Sequence, residues 1–331
     1  MNHNRKKTTI LLSVSLAAWL VIFIHLVYTD NLALAKIHYT KGHEAYRSVD
    51  CANAIKAFSE VSKVWKLPGI DKYVTLAEQE KTECVDYKAA DDLQKSGDLQ
   101  SAVTSYGKFV ERYENSFLVN AVKNRLASLF KAAQPSEVVG VDFCNNIDVI
   151  ARKKLISESD LPRTYAACGQ QYQASQRYIQ ASRVYEAFLK EYPEHPLLPQ
   201  IKAGLANSII EKTKSEGAEA PPLETTGKTS DGVTTVNITN NSPERIRVLF
   251  RGANTGFVEL EPCKTCPVYT TEQKQCPDDL GTVGRYTFKP GRYDIVMQTI
   301  SDPRVISLKD KWQLNSGWAY SNCYYLIKSP F

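Results

Sequence analysis

The residues best suited to chemistry in this chain are its eight cysteines: Cys51, Cys84, Cys144, Cys168, Cys263, Cys266, Cys276 and Cys323. The run Cys263-Lys264-Thr265-Cys266, with Cys276 and Cys323 further on, admits three readings. A four-thiolate zinc site wants two close pairs, whereas 46 residues lie between Cys276 and Cys323. A redox dithiol wants its first cysteine at a helix N-terminus, where the thiolate is stabilised. Here Pro262 and Pro267 flank the motif in a strand-rich segment. Two structural disulfides are the favoured reading, with Cys266–Cys276 inside a loop and Cys263–Cys323 to the last strand, although other connectivities remain open.

Other reactive groups are scattered. His3, His25, His38, His43 and His195 form no ligand motif, and His195 is expected to cap or pack at a turn between helices. Nucleophile elbows, phosphate-binding loops, paired-histidine metal motifs and glycine-rich dinucleotide turns are missing from the sequence. Asp91-Asp92 and Asp278-Asp279 read as solvated carboxylates, and Asn237-Ile238-Thr239 and Asn240-Asn241-Ser242 as glycosylation sequons. The chain is therefore expected to be no enzyme, with no catalytic residue, metal or cofactor. Its net charge of +5 is thinly spread, with 12 Lys/Arg against 10 Asp/Glu in residues 231–331, so nucleic acid is not an expected partner.

The elements that carry these residues begin with an anchor. Residues 8–29 hold no charged side chain and lie between Arg5-Lys6-Lys7 and Asp30. As a helix they span roughly 33 Å, enough for a bilayer core. The basic residues sit closer on the N-terminal flank, which predicts a cytoplasmic N-terminus and an extracytoplasmic bulk. Cleavage after Ala33-Leu34-Ala35 is the competing reading, but the apolar run exceeds the usual core of a signal peptide. An even cysteine count suits an oxidising compartment.

Residues 31–214 read as amphipathic helices with an internal repeat. Ala102, Tyr106, Phe109 and Tyr113 superpose on Ala181, Tyr185, Phe188 and Tyr192 with a shift of 79. Ala54, Phe58, Val61 and Trp65 form a weaker copy, shifted by 48. A small residue followed by aromatics at +4, +7 and +11 lies on one helical face and is expected to be core. Cys51 and Cys84 are equidistant from the Leu67-Pro68-Gly69 turn, and Cys144 and Cys168 centre on the Ser157–Pro162 break. Each pair would therefore meet across a helical hairpin.

The stretch Tyr185-Glu186-Ala187-Phe188-Leu189-Lys190-Glu191-Tyr192-Pro193-Glu194-His195 resembles the tail of the longer tetratricopeptide repeat seen in bacterial envelope proteins. Spacing nearer 40 than 34 residues and a poorly matching unit at 132–168 depart from that family. The resemblance implies a helical array that binds a protein or peptide partner on its concave side.

Residues 215–232 lack apolar periodicity and read as a flexible linker. Beyond it, strands are expected at 234–239, 245–250, 257–261, 284–289, 291–299, 311–314 and 318–327, and their number suggests an antiparallel, immunoglobulin-like β-sandwich. Phe288-Lys289-Pro290-Gly291-Arg292-Tyr293-Asp294-Ile295-Val296 resembles the hairpin of PEGA-like envelope modules, with Tyr293 and Ile295 turned inward. The expected organisation is thus a tip and anchor at 1–30, a tetratricopeptide-like domain at 31–214, a linker at 215–232 and a disulfide-stapled β-domain at 233–331. Such a chain would be a single-pass, extracytoplasmic, protein-binding scaffold. The alternative is a carbohydrate-binding or enzyme-accessory module that uses Trp312, Trp318 and Tyr320.

Overall fold

Helix α1 (Asn2–Arg47) runs 46 residues without a break. Its sequence holds no proline, and its single glycine is Gly42, so nothing ends the helix at Asp30, where an anchor boundary was expected. The structure, a computed structural model, describes residues 2–214, 216–269, 281–300, 305 and 307–327, with side chains from Ala18 onward. From Ala18 to Arg47 this helix is long and apolar enough to cross a membrane. Trp19, Phe23 and Leu26 stand exposed along it, whereas Ala35, Gly42 and Tyr46, spaced by about two helical turns and one turn, are buried.

Four further helices follow α1: α2 (Cys51–Val61), α3 (Asp71–Ser96), α4 (Leu99–Arg112) and α5 (Val119–Ala132). Each packs on its predecessor, and α3 also packs on α1. Cys51 and Cys84 are joined in a disulfide with Cα atoms 5.0 Å apart, the pairing expected from the hairpin geometry. Three short helices follow, α6 (Pro135–Val138), α7 (Val141–Cys144) and α8 (Ile147–Arg152). They occupy the stretch whose repeat match was poorest.

The chain divides into two compact units, Met1–Ser157 and Glu158–Phe331. Cys144 falls in the first and Cys168 in the second, and both are disulfide-bonded. The second unit opens with α9 (Leu161–Ala174), α10 (Tyr178–Glu191) and α11 (Leu198–Thr213). Among the described residues nine strands follow: β1 (Ala218–Glu219), β2 (Glu224–Lys228), β3 (Thr235–Asn241), β4 (Ile246–Arg251), β5 (Thr255–Leu260), β6 (Thr282–Thr287), β7 (Gly291–Thr299), β8 (Leu308–Leu314) and β9 (Trp318–Tyr325). They form one sheet in the order β1-β8-β7-β4-β5 and another in the order β2-β9-β3-β6. One apolar cluster draws on both, including Ile238, Val248, Tyr293, Ile295, Trp312 and Tyr324.

Two expectations are corrected here. The sheets are mixed rather than antiparallel, because β1 pairs with β8 and β3 with β9 in parallel. The segment 215–232 is not a tether: β1 and β2 add to the two sheets, Asn322 donates to the Pro221 carbonyl at 3.0 Å, and Ala220 and Leu223 pack on the core. Edge strands need backbone partners more than an apolar period, so this Pro-, Gly- and Thr-rich run can be ordered without announcing it.

Candidate binding surface

The repeat is a repeat of bonds as well as of residue types. Tyr106 donates to Gln94 Oε1 at 3.0 Å, and 79 residues on Tyr185 donates to Gln173 Oε1 at 3.0 Å. Phe109 and Tyr113 rings lie 4.9 Å apart at 51°, and those of Phe188 and Tyr192 lie 5.2 Å apart at 52°. After each pair the chain makes the same capped turn. Leu118 N–H donates to Ser116 Oγ and Leu197 N–H to His195 Nδ1, both at 3.1 Å. His195 is thus a turn cap, as anticipated.

The left-handed residue before each second helix recurs too: Val49 (φ 62°), Gly97 (φ 87°) and Gln176 (φ 57°) obey the shifts of 48 and 79. The next residues, Asp50 and Asp98, cap α2 and α4 by accepting from the Asn53 and Ser101 amides at 3.2 Å.

Ala102, Tyr106, Phe109, Ala181, Tyr185 and Phe188 are buried, while Tyr113 and Tyr192 are half-buried. They belong to the packing core of the hairpins. A further signal went unread in the sequence. Gly42, Ala90 and Gly169 are buried and precede Phe58, Tyr106 and Tyr185 by 16 residues, and the two glycines supply the space their rings fill. A Cβ on Gly42 would come within 2.5 Å of the Phe58 ring, and one on Gly169 closer still to Tyr185. Trp65 departs from the pattern. It was expected in the aromatic stripe and is instead exposed.

Burial pushes the phenols of Tyr106 and Tyr185 well above their ordinary range. The Tyr113 phenol is pushed up to about 12, by burial first and then by its bond to the Asp86 carboxylate. Tyr46, on α1, donates to Glu83 Oε2 at 2.5 Å, and Ser116 donates to the same oxygen at 2.6 Å. One buried carboxylate therefore ties α1, α3 and the α4–α5 turn together. Asp91, expected to be solvated, is nearly buried between Lys95 (2.5 Å) and Arg125 (3.0 Å).

A groove with a volume near 720 Å³ lies in the second unit, between α10, α11 and the β1-to-β5 sheet. Ile179, Ile209, Ile300 and Val305 give it apolar patches, and Arg183, Lys212, Arg247, Glu186 and Glu216 give it both charges. β4 contributes Arg247 to it and β7 contributes Gln298 and Thr299. Ile246, Val248 and Phe250 enter the shared core, leaving Arg247, Leu249 and Arg251 for the helices. Arg247 is buried, paired with Glu186 and with Glu259 at 2.8 Å, and stacked 4.2 Å from the Phe257 ring centre. Arg251 joins Glu211 at 2.5 Å and Asp294 at 2.6 Å. These pairs dock the last hairpin onto the sheet. Of these groups only Arg247 is buried; its carboxylate partners keep part of their contact with solvent.

Cys263 is bonded to Cys266, with Cα atoms 5.4 Å apart, which corrects the expected Cys263–Cys323 and Cys266–Cys276 connectivity. A bond between the motif's own cysteines closes inside a turn, where Cys266 N–H donates to the Cys263 carbonyl at 3.1 Å. Cys323 is disulfide-bonded as well, while Cys276 and Asp278-Asp279 lie outside the described residues. Trp312 and Tyr320 offer no platform for sugars. Both are buried, with the Trp312 indole bonded to Asp310 at 2.8 Å and the Tyr320 hydroxyl accepting from Asn315 N–H at 2.9 Å. Trp318 is half-buried, with the Lys228 ammonium 5.6 Å from its ring centre. Asn240, in the second sequon, is fully buried and donates to the Glu244 and Glu261 carbonyls, so it is closed to glycan attachment.

Among the described residues, no group of three or more His, Cys, Asp or Glu is arranged to hold a metal. No protein-family model matches the chain, and no curated protein matches it.

Proposed function

We propose that this protein is a non-enzymatic, membrane-anchored scaffold that binds a protein segment outside the cytoplasm. In this reading α1 crosses the bilayer with its N-terminus cytoplasmic. The hairpins of α1–α5 in the first unit and those of α9–α11 in the second are tetratricopeptide-like, and the two sheets of the second unit form a β-sandwich. Three observations support it: the uncharged stretch of α1, the basic residues before it, and the disulfide-bonded state of every described cysteine.

The recurring hairpin bonds carry the binding role. A surface whose turns and rings are held by the same contacts in each copy is shaped before a partner arrives, which lowers the ordering cost of association. The groove beside α10, with apolar and doubly charged walls, is the right size for a short extended segment.

Photo-crosslinking in intact membranes tests the proposal. A photoreactive residue placed at Ile179 or Arg183 should give a discrete adduct with one protein, while a residue at exposed Asn124, on α5, should not. Failure to trap any protein at either groove position sinks the binding role assigned to this face.

A further inference from the structure

Trp65 stands 62% exposed at a place where the other two copies of the repeat pack an aromatic ring. Tyr113 and Tyr192, its counterparts, stack on Phe109 and Phe188, and the intervals from Trp65 to α3 and from Tyr113 to α5 are equal in length. Val61 replaces the phenylalanine in the first copy, so the indole has no ring to cover it. Its loop is nevertheless held in place. Trp65 N–H donates to Asn31 Oδ1 at 3.4 Å, the Tyr28 hydroxyl donates to the Pro68 carbonyl at 3.0 Å, and a Cβ on Gly69 would lie 3.1 Å from that hydroxyl.

These bonds set the loop's height on α1. Tyr28 lies one residue before the end of the uncharged stretch, and Asn31 lies about 4–5 Å further along the helix axis. The polar headgroup layer on each side of a bilayer core is about 5–7 Å thick. A loop fixed at this level cannot avoid that layer if α1 spans the membrane. Its side chains suit the site: a large amphipathic indole between Lys63 and Lys66, whose side chains are 69% and 66% exposed. Their ion pairs with Glu60 and Glu78 are open to solvent and therefore weak. Tryptophan favours the membrane interface, and lysine stems reach along apolar surface to place their charge among phosphates.

We infer that the α2–α3 loop is a second membrane contact, with Trp65 seated in the headgroup layer of the leaflet that α1 leaves and Lys63 and Lys66 on lipid phosphates. Two contacts, one spanning and one lateral, would fix the tilt of the first helical unit on the membrane, which a lone helix does not. The inference rests on the proposed reading of α1 as a spanning helix.

Fluorescence quenching in phosphatidylcholine–phosphatidylglycerol vesicles tests it, using full-length protein and the variants Trp65→Phe and Trp19→Phe. Subtracting each variant's emission from wild type isolates the signal of one indole. The Trp65 signal should be quenched severalfold more by headgroup nitroxide lipid than by aqueous iodide, and should lose part of that preference in Lys63→Glu/Lys66→Glu. The Trp19 signal should respond to lipids brominated deep in their chains. A Trp65 signal that answers only to iodide, with Trp19 still quenched from within the bilayer, overturns the loop contact and leaves the spanning helix standing. Iodide quenching of both indoles removes the spanning helix and the loop contact together.

Discussion

Gln176 holds a left-handed backbone, φ 57°, at the position where the preceding copy uses Gly97. A side chain there costs about 1–2 kcal/mol relative to the right-handed form, which glycine escapes at the expense of a more flexible unfolded chain. Gln176→Gly should therefore stabilise the second unit by roughly 0.5–1 kcal/mol. The gain would be read as a rise in the thermal midpoint followed by emission of the buried Trp312. The converse holds at Gly169, where Gly169→Ala drives a methyl into the Tyr185 ring and should cost about 1–3 kcal/mol by overpacking, lowering the same midpoint. At this scale the aromatic faces were legible, because small-and-aromatic spacing maps directly onto one side of a helix. The left-handed Val49 and Gln176 were not, since neither residue type signals positive φ. Nor was the exposure of Trp65, which depended on what the neighbouring turn failed to supply.

The last helical hairpin and the β4 strand belong together, and charge is what joins them. Arg247→Ala would leave Glu186 and Glu259 without their shared cation and remove a guanidinium packed on Phe257. Both carboxylates can regain water, so the loss should be about 2 kcal/mol rather than the larger penalty of a stranded buried charge. It should appear as faster amide exchange in α10 and β4. Acid should loosen the α11 contact in a predictable direction. Lys214 and then Arg251 hold the Glu211 carboxyl below its usual range. A depressed carboxylate contributes stability that is complete above the ordinary Glu value of about 4.3 and is lost as pH falls through its lower folded value. Exchange protection in α11 should thus fall below about pH 4, and Glu211→Gln should flatten that dependence. The strands themselves were readable from alternation and turn chemistry, with β7 predicted at its observed bounds, Gly291–Thr299. The pairing of β1 and β2 was not, because an edge strand can be written in almost any polar sequence.

Across the whole molecule, oxidation and the long first helix set the frame. Closing the 33-residue separation between Cys51 and Cys84 restrains the unfolded first unit by roughly 4 kcal/mol. Cys51→Ser/Cys84→Ser should therefore shift that unit's denaturant midpoint down with little change in the folded spectrum, and non-reducing peptide mapping should recover Cys51–Cys84 and Cys263–Cys266 as linked pairs. By itself the sequence determined what depends on neighbours along the chain: the uncharged span, the helical faces, the seven main strands and the hairpin that brings Cys51 to Cys84. Tertiary structure alone decided which residues meet from a distance. It carried α1 unbroken through Asp30, closed Cys263 on Cys266, buried Trp312 and Tyr320, and set the α10–α11 hairpin on a sheet from which a linker had been expected to part it. Periodicity records which face of an element is apolar. The partner of that face is chosen by packing and ion pairing among segments the chain brings together only on folding.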